Sequence, residues 1–130
     1  MATFFMTDIL FREEVYKIVG VCMAVYNTLG HGFLEVVYKD AMEIEFSNIE
    51  MEFEREKEFP VFYKERRLNR TVYADFCLFE NIIVEVKANA DGILNEAIAQ
   101  IINYLKASGN RLGVIVNLGK SKLEYKRIVF

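Results

Sequence analysis

Apolar residues recur at helical spacing through the first part of the chain. Phe11, Val15, Ile18, Cys22, Val25 and Leu29 step alternately by four and three residues, which lines one face of an amphipathic helix. Asp8 is placed to cap its start, and Gly30-His31-Gly32 breaks it. A second helix follows with Leu34, Val37, Tyr38, Ala41 and Ile44 as its apolar stripe, ending around Ser47-Asn48. From Met51 the period becomes two. Met51, Phe53, Arg55, Lys57 and Phe59 alternate with Glu52, Glu54, Glu56 and Glu58, a half-exposed strand running to about Tyr63.

The charged stretch from Lys64 to Arg70 carries no apolar period and reads as a turn or loop. Thr71 to Leu78 and Ile82 to Ala88 read as two strands of a hairpin. Asp91 is placed to cap a third helix, from about Gly92 to Ala107, with Gly109 suited to the left-handed residue past its end. Arg111 to Leu118 is almost continuously apolar, as in a strand covered on both faces, and Leu123 to Phe130 reads as a last strand. The predicted order is α-α-β-β-β-α-β-β. A helix between the third and fourth strands predicts a parallel crossover, and therefore a mixed sheet flanked by helices in an α/β (α+β) fold.

Composition adds limits to this picture. A chain of 130 residues predicts one domain, 1–130, able to bury roughly two thirds of its unfolded surface without disulfides or a structural metal. Cys22 and Cys77 match no zinc or redox spacing and read as reduced thiols. There is no signal-peptide pattern and no apolar run long enough to span a bilayer, so a cytoplasmic protein without a membrane partner is expected. The net charge of −3 weighs against strong nonspecific nucleic-acid binding over the whole surface. Two local basic clusters remain: Lys64, Arg66, Arg67 and Arg70, and Lys120, Lys122, Lys126 and Arg127.

The candidate chemistry lies on the central hairpin. Glu85 and Lys87 are two apart in a strand and share a face. Whether Asp75 joins them depends on the turn. A two-residue turn at Glu80-Asn81 would set Asp75 opposite Val86. A three-residue loop, Phe79-Glu80-Asn81, sets Asp75 opposite Glu85 and Tyr73 opposite Lys87. Asn81 tolerates the left-handed conformation such a loop ends on, which favours the second register. Two ionised carboxylates that close repel by roughly 3 kcal/mol at an effective dielectric near 20, and a cation between them removes the cost. Oxygen ligands with open positions suit Mg²⁺ or Mn²⁺, and an adjacent ammonium suits a phosphate, so the set fits metal-assisted phosphodiester hydrolysis. The alternative is a solvated strand face with a cross-strand salt bridge. Against it, the charges sit inside the apolar run Ile82-Ile83-Val84-Glu85-Val86-Lys87-Ala88.

Gln100 and Tyr104 are four apart on the third helix and could face this site, or form the polar edge of that helix. Glu35 opens the second helix, where the helix dipole already favours a carboxylate. Tyr38 reads as core, and His31 as a turn residue.

The stretch Gly32-Phe33-Leu34-Glu35-Val36-Val37-Tyr38 has the form GxxExxY. With the Tyr73–Ala88 block and the segment from Gln100 to Gly119, it resembles the GxxExxY family, a branch of the PD-(D/E)xK nuclease superfamily. The resemblance covers about Phe11 to Phe130. It implies a restriction-endonuclease-like core, Asp75 and Glu85 as metal ligands assisted by Glu35, and Lys87 as the catalytic lysine. Gln100 and Tyr104 match the Q-x-x-x-Y element of related exonuclease-like branches, and Ala74 stands where the superfamily's name has proline. The implied cofactor is Mg²⁺ or Mn²⁺. The implied partner is nucleic acid, DNA in preference to RNA, with room for a homo-oligomer. A noncatalytic nucleic-acid-binding or protein-interaction module that keeps the fold is the competing expectation.

Overall fold

A computed structural model describes residues 10–130. Three helices, α1 (Arg12–Leu29), α2 (Glu35–Asn48) and α3 (Asn95–Ser108), accompany five strands: β1 (Phe53–Tyr63), β2 (Arg66–Leu78), β3 (Ile82–Lys87), β4 (Leu112–Asn117) and β5 (Glu124–Val129). The strands form one sheet in sequence order. All neighbours are antiparallel except β3 and β4, which are parallel across α3. This is the predicted element order and the predicted mixed sheet.

Two apolar cores lie on the two faces of the sheet. Val84 and Val86 of β3 and Leu112, Val114 and Val116 of β4 pack with α1 and α2. Ile83 and Ile115 face the other way and pack with Ala97, Ile101 and Leu105 of α3. β3 and β4 are therefore covered on both sides, which is why their apolar runs are nearly unbroken.

The structure corrects several expectations. Asp8, expected as a cap, lies outside the described residues. The α1 helix begins at Arg12 after Phe11, whose backbone is left-handed and supplies no side-chain cap. In α2 the buried face is Tyr38, Met42 and Phe46, while Leu34 and Ile44 are exposed. These three sit one turn apart and bring the larger side chains to the core. Asp91 does not cap α3, which starts three residues beyond Gly92, at Asn95, with Leu94 preceding it. Gly109 ends it in a left-handed conformation, as expected, its amide donating to the Leu105 carbonyl.

The largest correction concerns Lys64 to Arg70. It is not a loop: only Lys64-Glu65 turns, and β2 starts at Arg66. No apolar alternation marks this part of the strand because both of its faces are exposed.

Candidate active site

The β2–β3 turn decides whether two carboxylates meet. Phe76 pairs with Val84, Cys77 with Ile83 and Leu78 with Ile82, so the loop is Phe79-Glu80-Asn81 and the register sets Asp75 at the level of Glu85. The predicted loop length holds, but the left-handed residues are Phe79 and Glu80. Asn81 instead donates its side-chain amide to the Phe79 carbonyl.

The ladder does not continue past Phe76. Asp75 Oδ2 accepts a hydrogen bond from the Val86 amide at 2.8 Å, where a backbone bond would otherwise form. Tyr73, expected opposite Lys87, pairs only with Glu58 on β1. At this level both β1 and β2 turn over. Phe76 packs in the core under α1 and α2, whereas Ala74 packs under α3. On β1, Phe53 belongs to the first core and Phe59 to the second. Between them Glu56 has φ of 53°, a strained value for a non-glycine residue, and it is the position that would pair with Asp75. The distortion lets Asp75 point into the gap beside β3 instead of onto one sheet face.

Glu85 is only 2% exposed, and its Oε1 has no hydrogen-bond partner. Burial pushes its carboxyl up to about 10, and the nearby Asp75 adds to the rise. Asp75 moves the opposite way. Burial opposes its charge, but hydrogen bonds with Glu85, the Val86 amide and Lys39 outweigh this and hold it below the usual carboxylate value. The pair therefore carries one proton, on Glu85, which removes most of the repulsion expected between two ionised acids.

Lys39 was not anticipated. Its Nζ lies 3.0 Å from Asp75 Oδ1 and also pairs with Glu56. Burial works against this ammonium, but the two carboxylates more than compensate and raise its pKa. A signal for Lys39 existed, since it stands one turn after Glu35 on the same helix face. Glu56 had none, because it reads as one more glutamate in an exposed alternation.

Lys87 shares the α3 side of β3 with Glu85. Its Nζ donates to Gln100 Oε1 at 2.8 Å, and Gln100 Nε2 donates to the Tyr104 hydroxyl at 2.9 Å. Of the two readings for this pair, the polar edge of α3 and a contact with Lys87, the hydrogen bonds give the contact. Glu35, exposed at the start of α2, lines a cleft of about 400 Å³ with Lys87, Gln100, Asn89 and Glu96. Tyr38 is fully buried, as expected, and ties the turn that presents Glu35: its hydroxyl donates to the Gly30 carbonyl and accepts from the Phe33 amide. Among the described residues no three Asp, Glu, His or Cys side chains gather as a ready-made metal cluster. Asp75 and Glu85 are a two-carboxylate set, and Glu35, on the cleft wall, does not join them.

The floor of the cleft has a further polar anchor. Asn117, fully buried at the end of β4, holds both the amide and the carbonyl of Asn89 with its side chain. It fixes the chain just after Lys87.

No curated protein matches this chain. Among solved structures, it is similar to the crystal structure of SSO0001, with 14% identity and a TM-score of 0.58. The match covers 92% of this chain and 59% of that one, so this chain spans under two thirds of its length; at that identity the likeness concerns the fold. A family model described as the PD-(D/E)XK nuclease superfamily matches residues 12–128. With a mixed five-stranded sheet, an acid pair at its centre and a lysine two residues on, the chain belongs to the PD-(D/E)XK nuclease superfamily.

Proposed function

We propose that this protein is a metal-dependent nuclease of the GxxExxY branch that hydrolyses nucleic-acid phosphodiester bonds, DNA in preference to RNA. The observation that carries the reading is the buried, unpartnered Oε1 of Glu85 on a central strand, beside Asp75 and two residues before Lys87. An orphaned carboxyl oxygen in the core is costly unless something binds it. A hard divalent cation such as Mg²⁺ or Mn²⁺ fits two carboxylates that leave room for water and phosphate oxygens.

Asp75 and Glu85 would hold that ion, which when bound supplies an activated water and charge neutralisation at the phosphate. To hold an ion Glu85 would have to be ionised, its proton passing to solvent. Lys87, oriented by Gln100 and through it by Tyr104, presents its ammonium to the attacking water or the phosphate. Glu35 borders the cleft from α2, where it can order water at the site's edge. Lys39 must release Asp75 Oδ1 before that oxygen can serve as a ligand, and Glu56 remains as its partner.

A second reading has its own support. If Lys39 keeps Asp75 permanently, the acid pair is a structural salt bridge and the protein is a noncatalytic binding module on the same fold. The test is cleavage of single- and double-stranded DNA and RNA with Mg²⁺, Mn²⁺ or EDTA. Cleavage with metal alone is expected, slowed about 10²-fold in Lys87→Met and abolished in Glu85→Ala. Binding without cleavage under every metal would transfer the assignment to the second reading.

A further inference from the structure

The β1–β2 hairpin extends well beyond the rest of the sheet. β2 has thirteen residues, but only Phe76, Cys77 and Leu78 pair with β3. From Arg66 to Thr71 its pairing is with β1 alone, and the register shifts between Pro60 and Phe62. Because β2 is antiparallel to β3, the path from Asp75 back to Arg66 runs the way β3 runs, toward Lys87. The hairpin therefore rises at the end of the sheet where the cleft lies. Nine residues at about 3.3 Å each let it reach up to about 30 Å past Asp75.

This arm has no stabilising core of its own. Every residue from Phe62 to Arg70 is exposed, and Phe62 and Tyr63 are 58% and 63% exposed. Over Phe62–Arg70 the charges are Lys64, Arg66, Arg67 and Arg70 against Glu65, four minus one, or +3 in a chain of −3. Among the described residues none of these four cations forms a salt bridge with a carboxylate. The acidic balance of the protein is thus reversed at one projecting element. At the arm's root, Pro60, Phe62 and Val72 border a groove whose other wall is α3, with Asn103 and Lys106. That helix also carries Gln100 of the cleft. The second basic cluster is not comparable: Lys120 lies 3.5 Å from Glu124, and Arg127 donates to the Leu10 carbonyl.

We propose that the hairpin Phe59–Val72 is a nucleic-acid arm that holds the phosphate backbone of the substrate outside the cleft, through Lys64, Arg66, Arg67 and Arg70. This rests on the nuclease reading for the identity of its ligand. Flexible, exposed guanidinium groups on a two-stranded arm suit phosphates without reading sequence. The bare aromatic and apolar side chains beside them offer stacking surface. Charges along a strand edge left open can also serve only to prevent edge-to-edge association of sheets, and the experiment separates the two roles.

The experiment measures binding of a fluorescent DNA oligonucleotide by anisotropy in EDTA across a salt series. The wild type is compared with Arg66→Gln/Arg67→Gln/Arg70→Gln and with each single variant. The slope of log affinity against log salt is expected to fall by about one per arginine removed, and by about two to three in the triple variant. Mn²⁺ uptake should be unchanged, and in cleavage assays KM should rise while kcat stays near wild type. The single variants keep the test open should the triple variant fold poorly. Equal slopes and affinities in wild type and variants would overturn the arm and leave its charges as edge protection, as would a wild type that binds no nucleic acid. If metal uptake and cleavage are absent but the slope still falls, the arm stands and the nuclease reading fails.

Discussion

Glu85 and Lys39 set the electrostatics of the site between them. The folded protein keeps the Glu85 proton up to about pH 10, while an unfolded chain loses it near the ordinary value of 4.5. Between those limits the native state binds more protons than the unfolded one, so stability falls as pH rises. Urea melts from pH 5 to 9 without metal should show this decline, and Glu85→Gln should flatten it. An equal decline in Glu85→Gln would assign it to another group. Asp75 acts in a separate window, because its depressed pKa gives a contribution lost only below its ordinary value of 3.8. Lys39→Met should cost the metal-free protein about 1–3 kcal/mol, since a largely buried carboxylate loses its cation. The same change should tighten Mn²⁺ binding by calorimetry, because no ammonium then competes for Asp75 Oδ1. Weaker Mn²⁺ binding in Lys39→Met would show that the ammonium is not in the ion's place.

At the scale of elements, the turn after β2 and the polar latch after β3 hold these groups in register. Glu80 is exposed in a left-handed conformation with φ of 59°. Glycine takes that conformation without the steric cost of a Cβ, so Glu80→Gly should raise stability by about 1 kcal/mol in a thermal or urea melt. An unchanged or lower stability would mean that unfolded-chain entropy or another contact dominates there. Asn117 works in the other direction. Besides both backbone groups of Asn89 it accepts from the Gly119 amide and donates to Glu124 Oε1. Asn117→Ala leaves these groups without partners and should cost about 1–3 kcal/mol. Amide exchange should quicken first in the segment Ala88–Gly92, next to Lys87, and uniform quickening would instead indicate global destabilisation.

For the molecule as a whole, the site lies where the two cores meet. β1 and β2 pass from one core to the other at Glu56 and Asp75, and β3 and β4 divide the cores throughout. An ion held by Asp75 and Glu85 would join β2 and β3 in the native state alone. Mn²⁺ at about a hundred times its Kd should then stabilise the fold by about 2.7 kcal/mol, reversibly with EDTA. The gain should grow with pH, because binding displaces the Glu85 proton. Calorimetry in buffers of different ionisation enthalpy should find about one proton released per ion near neutral pH. Release of no proton would place the ion elsewhere.

The element order and the mixed sheet were legible in the residues alone. Alternating and 3.6-residue patterns arise wherever an element buries one face, and the unbroken apolar runs of β3 and β4 mark strands covered on both. Local turn chemistry was enough to choose the loop that brings Asp75 level with Glu85, though not to say which of its residues would be left-handed. The exposed half of β2 was not legible, because a strand with no buried face has no period to read. It took the packed chain to pair Lys39 with Asp75, to distort β1 at Glu56 opposite it, and to fasten the segment after Lys87 with Asn117. Each of these joins residues far apart in sequence through side chains whose types are ordinary on a surface, and only the packing of helices and neighbouring strands around β3 turns them into partners.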